Sequence, residues 1–296
     1  MTAVAFLGLG AIGRPMAVRL AARFPLTVWN RTGARATELA AETGARAAGT
    51  PRAAVQGAPI VVTCLPTSAE VKGLLDGPDG VLAGLEPGAL LVDCTSGDPA
   101  SSRRIAARLE ALGFGFIDAP VSGGTNGAEA GTLTVMVGGD SQFFDRAAPV
   151  LSAFGSRIVR MGPVGAGHAM KAVNNALLAV NILAVGEGLA ALVKAGVPAR
   201  TALNVLNASS GRSFVSETLV PERVLTGAFP KTFKLSLLQK DAGIAAGLLD
   251  ETGVAGPVID LAFQLYGEAR ATLGDGADYL EAIKVIEGQA GVEIRG

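Results

Sequence analysis

A short apolar run from Ala3 to Leu7 leads without a break into Gly8-Leu9-Gly10-Ala11-Ile12-Gly13, and a helical pattern then reaches about Arg23. This order constrains the fold more than any other feature of the chain. At that spacing Gly8 permits a tight turn, Gly10 lets the backbone approach a pyrophosphate, and Gly13 lets helix and strand pack closely. The helix start then offers its amides to the phosphates. In a chain with 40 glycines the bare spacing would mean little, and it is the position at the first strand–helix junction that makes it specific.

The next strand, Leu26 to Trp29, ends in Asn30-Arg31-Thr32, with Asn30 17 residues beyond Gly13. An acid at this place holds the ribose hydroxyls of NAD and repels a 2′-phosphate. Here there is none, and the Arg31 guanidinium suits a phosphate, so the pattern points to NADP, with NAD possible. A solvated loop arginine is the other reading of Arg31. Strand-like runs follow at Ile60 to Cys64, Ala89 to Asp93, Gly115 to Asp118, Leu133 to Val137 and Arg157 to Met161. Helical patterns between most of them predict a mostly parallel, doubly wound α/β sheet, with a ligand crevice beyond the carboxyl ends of its strands. Leu65-Pro66-Thr67 and Thr95-Ser96-Gly97-Asp98-Pro99 lie at such ends, where they are either plain turns or line the cofactor. The run Asp118 to Thr125, which holds Ser122, Gly123 and Gly124, is either a flexible turn or a set of exposed amides suited to a substrate carboxylate.

Beyond Met161 strands give way to helical runs at about Ala199 to Asn207, Leu235 to Leu249, Pro257 to Leu273 and Tyr279 to Glu287. The expected domains are therefore 1–162 and 163–296. Val164 to Gly196 reads as one long helix, apolar nearly all round from Ala176 to Val193. It is long enough to cross a bilayer, but Asn174, Asn175, Asn181 and Glu187 and the lack of a basic flank favour a core helix covered on every side. Lys171 and Asn175 share a face, with Gly167 one turn below leaving space. A lysine partly withdrawn from water suits proton transfer; a lysine snorkelling from a helix start is the alternative. His168 reads as a polar helix-start residue.

A net charge of -1 with 17% charged residues gives no footprint for nucleic acid or an anionic membrane. One histidine and two distant cysteines make no ordinary metal site. Cys64 and Cys94, each at a strand end, read as small buried apolar groups in a reducing compartment. No basic stretch precedes the apolar N-terminal run, so the expected location is cytoplasmic.

Five motifs carry a family resemblance: FLGLGAIGRPMA near the start, DAPVSGGTNGAEAGTLTVMVGG from Asp118, GAGHAMKAVNN from Gly165, ASSGRS from Ala208 and LLQKD from Leu237. In this order they resemble the β-hydroxyacid dehydrogenases over essentially the whole chain, and most of all the 3-hydroxyisobutyrate dehydrogenase branch. The resemblance implies an N-terminal Rossmann domain followed by an all-α C-terminal domain, as in 6-phosphogluconate dehydrogenase. It also implies a homodimer or homotetramer and NAD(P)-dependent interconversion of a small β-hydroxyacid and its semialdehyde. Carried across, Lys171 matches the catalytic lysine, and Asn175 the amide that helps hold the substrate. Ser122, Gly123 and Gly124 match the carboxylate loop, Ser96 a cofactor-contacting hydroxyl, and Lys240 a lysine near the nicotinamide. Asn30-Arg31-Thr32 resembles the NADP-preferring members. Tartronate or succinic semialdehyde, glyoxylate and serine are alternative substrates within the family; a non-catalytic NADPH-binding module is the alternative of another class.

Overall fold

Short apolar strands alternate with helices through the first half of the computed structural model, which describes residues 2–296. In chain order these are β1 (Val4–Leu7), α1 (Gly13–Ala21), β2 (Leu26–Trp29), α2 (Gly33–Thr43), β3 (Arg46–Ala47), α3 (Pro51–Val55), β4 (Ile60–Thr63) and α4 (Ser68–Leu75). There follow β5 (Leu90–Asp93), α5 (Pro99–Ala111), β6 (Gly115–Asp118), β7 (Val121–Ser122), α6 (Gly124–Ala130), β8 (Leu133–Gly138), α7 (Ser141–Leu151) and β9 (Gly155–Gly162). Among the described residues the strands form one sheet in the order β3-β2-β1-β4-β5-β6-β8-β7, with β9 beside β8. Strands β3 to β6 along that path run parallel, whereas β8 is antiparallel to both β6 and β7.

Every residue of β1, β4, β5 and β6 is buried, which explains their unbroken apolar character: helices cover both faces. Alternate residues serve opposite layers. Phe6, Val62 and Val92 pack with Met16, Leu20 and Leu39, while Ala5, Leu7, Val61 and Leu91 pack with Val71, Leu75 and Leu109. Each such large apolar side chain contributes about 1.5–3 kcal/mol by leaving water. Leu7 stands in register with Trp29 and Thr63, Thr63 with Asp93, and Asp93 with Asp118. The loops after β1, β2, β4, β5 and β6 therefore emerge along one edge.

The helix α8 (Ala166–Lys194) follows β9. By its internal packing the chain divides into two compact units between Lys171 and Ala172, inside this helix. The reason is local: the backbone amides of Gly165 and His168 are held by Asp118, so the first turns belong with the sheet. The second unit continues with α9 (Ala199–Asn207), a π-helical stretch Val215–Val224, α10 (Leu235–Thr252), α11 (Pro257–Leu273), a 3-10 turn Tyr279–Glu281 and α12 (Ala282–Ala290). Its core gathers Ile182, Leu189, Leu203, Leu219, Leu238, Leu280 and Ile283 around the fully buried Tyr266. The expected helix over 279–287 begins as a 3-10 turn because Asp278 and Glu281 form a reciprocal cap there. The expectation that α8 is covered on all sides is not met within one chain: Leu177 is 51% exposed.

Candidate active site

The three loop glycines differ in what surrounds them. Gly8 has φ +108, and a Cβ there would lie 2.3 Å from the Cys64 carbonyl oxygen. A Cβ on Gly13 would lie 2.0 Å from the Gly8 carbonyl oxygen, whereas one on Gly10 would meet nothing within 4 Å. The protein thus packs against Gly8 and Gly13 and leaves a cradle at Gly10, which is what a dinucleotide needs. Leu9 is buried, Ile12 packs on the core, and Gly10 and Ala11 are exposed. In the first turn of α1 the amides of Arg14 and Met16 donate to the Gly10 and Ile12 carbonyls at 3.0 and 3.3 Å, and Pro15 has none to offer.

Asn30 fixes the loop. Its Oδ1 accepts from the Leu9 amide at 2.9 Å and its Nδ2 donates to the Thr32 carbonyl at 3.0 Å. Arg31 and Thr32 are exposed just before α2. These residues fit NAD(P), whose nicotinamide supplies the two-electron acceptor for a hydride.

The loops after β4 and β5 are tied to each other by Asp93, which sequence reasoning did not single out. Its Oδ1 accepts from Thr63 Oγ1 at 2.8 Å and from the Thr95 amide at 3.0 Å. Thr95 Oγ1 in turn accepts from the Leu65 amide at 3.1 Å, so Leu65-Pro66 and Ser96 are held side by side. Both cysteines are free thiols. Burial, then the nearby Asp93, pushes the Cys64 thiol up to about 12, which leaves it unreactive.

The run after Asp118 is more regular than a flexible turn. Val121 and Ser122 pair with Val135 and Thr134 of β8, and α6 begins at Gly124. Gly123 and Gly124 have φ of +134 and +65, conformations that suit glycine. Both are exposed, and Ser122 is half-buried.

Asp118 has a second task. Its Oδ1 accepts from the Gly165 amide at 2.6 Å and its Oδ2 from the His168 amide at 2.8 Å, which caps α8. Burial raises the pKa of this carboxyl, opposed by His168 and the two amides. One expectation is corrected here. Gly167 does not leave space beside Lys171: a Cβ on it would lie 2.2 Å from the Met136 carbonyl oxygen, so it lets α8 press against β8. His168 lies at the helix start as expected, and there it is fully buried with Nδ1 2.6 Å from Ser102 Oγ. Lys171 is half-buried one turn after Gly167.

One further turn along α8 lies Asn175, 4% exposed, whose Nδ2 donates to Asp241 Oδ2 at 2.6 Å. Its Oδ1 accepts from Asn174 Nδ2 at 3.1 Å. Lys240 Nζ is 3.0 Å from Asp241 Oδ1. The buried Asp241 thus orients two of the residues singled out from sequence, although it was not itself among them. Its place beside Lys240 in LLQKD was the signal.

Residues 3–162 match the family described as the NAD binding domain of 6-phosphogluconate dehydrogenase, and residues 165–286 match the NAD-binding domain of NADP-dependent 3-hydroxyisobutyrate dehydrogenase. The chain is 37% identical over 296 residues to 2-(hydroxymethyl)glutarate dehydrogenase of Eubacterium barkeri, covering 99% of this chain and 97% of that one. It is 39% identical to an NAD-dependent L-serine dehydrogenase of Pseudomonas aeruginosa, covering 90% and 91%. The solved structure of Mycobacterium tuberculosis 3-hydroxyisobutyrate dehydrogenase with L-serine superposes with a TM-score of 0.87 at 32% identity, covering 97% of this chain and 99% of that one. The glycine cradle, the capped lysine helix and these likenesses along the whole chain agree, and the chain belongs to the NAD(P)-dependent β-hydroxyacid dehydrogenases.

Proposed function

We propose that this enzyme oxidises the primary alcohol of a small 3-hydroxypropanoate carrying a substituent at carbon 2, with 3-hydroxyisobutyrate as the leading substrate and NADP as the preferred cofactor. Three substrates named for the relatives share that skeleton: 3-hydroxyisobutyrate, L-serine and 2-(hydroxymethyl)glutarate differ only in the group on carbon 2. In this reading the amides around Ser122, Gly123 and Gly124 hold the shared carboxylate. Lys171 takes the hydroxyl proton as the carbinol carbon is oxidised and returns it in the reverse direction. Asn175, held by Asp241, keeps one amide hydrogen of Nδ2 available to a substrate oxygen.

The single observation that carries the reading is the placement of Lys171 five residues into a helix whose start is locked to Asp118, the residue from which the carboxylate loop departs. NADP is supported by the absence of an acid at Asn30-Arg31-Thr32. The enzyme is inferred to be cytoplasmic and to associate as a homodimer or homotetramer in which a second copy covers the exposed Leu177; sedimentation giving only monomer would refute the association. Rates on 3-hydroxyisobutyrate, L-serine and 2-(hydroxymethyl)glutarate, each with NADP and NAD, test the substrate and cofactor assignments together. The highest kcat/KM is expected for 3-hydroxyisobutyrate with NADP. A chain that binds NADPH and turns over none of these acids would revive the non-catalytic reading.

A further inference from the structure

The buried His168 ring has the role of Nδ1 set by its neighbours. Ser102 Oγ, 2.6 Å from Nδ1, donates to the Asp98 carbonyl at 3.1 Å. A hydroxyl has one hydrogen to give, so with that hydrogen on the Asp98 carbonyl Ser102 accepts from Nδ1–H. Nε2 is buried and has no hydrogen-bond partner among the described residues. The ring therefore starts an ordered chain, from His168 Nδ1–H to Ser102 Oγ–H to the Asp98 carbonyl.

Both ends of this chain reach functional loops. Asp98 closes the loop that holds Ser96 and caps α5 through the Ser101 amide at 2.7 Å. Gly97 of the same loop lies against the ring edge, where a Cβ would be 2.7 Å from His168 Cε1. On the other side the His168 amide donates to Asp118, from which the loop to Gly124 departs. Lys171 follows His168 by three residues, nearly one helical turn.

We propose that His168 is a positioning residue for hydroxyacid oxidation: through Ser102 its ring sets the turn carrying Lys171 against the Ser96–Asp98 cofactor loop, while its backbone amide, which any residue would supply, holds the start of the carboxylate loop. The inference rests on Lys171 being the proton acceptor. A buried imidazole that makes no contact with water is otherwise an expensive way to fill a core position. Its value lies in direction, because the ring ties the start of α8 to α5 and to the Gly97 backbone, whose relative placement must hold to a fraction of an ångström.

The test uses the whole enzyme and the variants His168→Leu, His168→Asn, Ser102→Ala and the double variant His168→Leu with Ser102→Ala. Asparagine places an amide nitrogen where Nδ1 stood and can still donate to Ser102. His168→Leu is expected to lower kcat roughly thirtyfold, short of the hundredfold that a 1 Å misplacement costs, with the NADPH dissociation constant within about twofold of wild type. His168→Asn should recover most of that loss, and the double variant should be no slower than His168→Leu alone, since both break one chain. A kcat indifferent to His168→Leu, or a loss that His168→Asn does not rescue, overturns the inference. Should His168→Leu not fold, Ser102→Ala and His168→Asn decide: a fall in kcat with the first and near-normal kcat with the second support it, and equal losses overturn it. A wild-type enzyme inactive on every hydroxyacid would overturn the assignment of Lys171 and this inference with it, whereas an active enzyme indifferent to His168 overturns this inference alone.

Discussion

The Asn175 carboxamide donates to Asp241 Oδ2 across 2.6 Å, while the Lys240 ammonium stands 3.0 Å from the other oxygen of the same carboxylate. One buried anion thus sets the orientation of an amide on α8 and of a cation on α10. Removing it leaves Asn175 without its acceptor and Lys240 without its counter-charge. Asp241→Ala is expected to cost about 3 kcal/mol in urea denaturation, the scale for breaking a buried pair from one side. It should also lower kcat/KM for the hydroxyacid by about tenfold or more. Asp241→Asn keeps one acceptor oxygen for Asn175, and should fall between Asp241→Ala and wild type on both measures.

The surroundings of Gly10 and Gly13 predict opposite failures. Gly10→Ala adds a methyl into open space, so the thermal midpoint should hold while the dissociation constant for NADPH rises by about tenfold, or 1.4 kcal/mol. Gly13→Ala drives its methyl into the Gly8 carbonyl and should destabilise the fold itself by about 1–3 kcal/mol. Thermal melts paired with NADPH titrations separate the two.

Asn30 offers a test of cofactor choice that keeps the loop's bond from the Leu9 amide and gives up the donor to the Thr32 carbonyl. Asn30→Asp retains an acceptor for the Leu9 amide but sets a negative charge where a 2′-phosphate is expected. The ratio of kcat/KM for NADP over NAD should fall by about tenfold or more. An unchanged ratio would mean that Asn30-Arg31-Thr32 does not read the ribose phosphate.

The second unit carries an acid-sensitive latch at Glu281. Partial burial pushes its carboxyl up, but hydrogen bonds from Lys231, Lys284 and the Asp278 amide outweigh this and bring it down to about 2. A carboxyl whose folded pKa is depressed binds fewer protons in the native state than in the unfolded one, so its contribution is present above about 4.5 and is lost as the pH falls through about 2. Urea midpoints measured from pH 5 down to pH 2 should fall less steeply in Glu281→Gln than in wild type. Equal slopes would show that the latch contributes nothing.

Sequence reading reached the glycine loop, the parallel strands and the lysine helix because each rests on spacing along the chain. Phe6 and Leu7 face opposite apolar layers, so β1 reads as a continuous apolar run. The roles of Asp93, Asp118, Ser102 and Asp241 went unread because each is a single polar residue whose meaning lies in a partner far off in sequence; Asn175 and Asp241 are 66 residues apart. Gly167 was misread for the same reason: the Met136 carbonyl that presses on it belongs to another element. The two-residue strands β3 and β7 are too short for any periodicity, and exposed Arg46-Ala47 has no apolar signal. The π-helical stretch around Pro221 hides a helix behind a residue that usually ends one.

The account as a whole stands on the amine of Lys171 as the group that accepts the alcohol proton. Single-turnover oxidation of 3-hydroxyisobutyrate by Lys171→Ala, with NADPH affinity measured alongside, tests it most directly. The predicted result is a rate lowered by about a hundredfold or more with cofactor affinity held near wild type. A near-normal rate with an unaltered pH profile would contradict it.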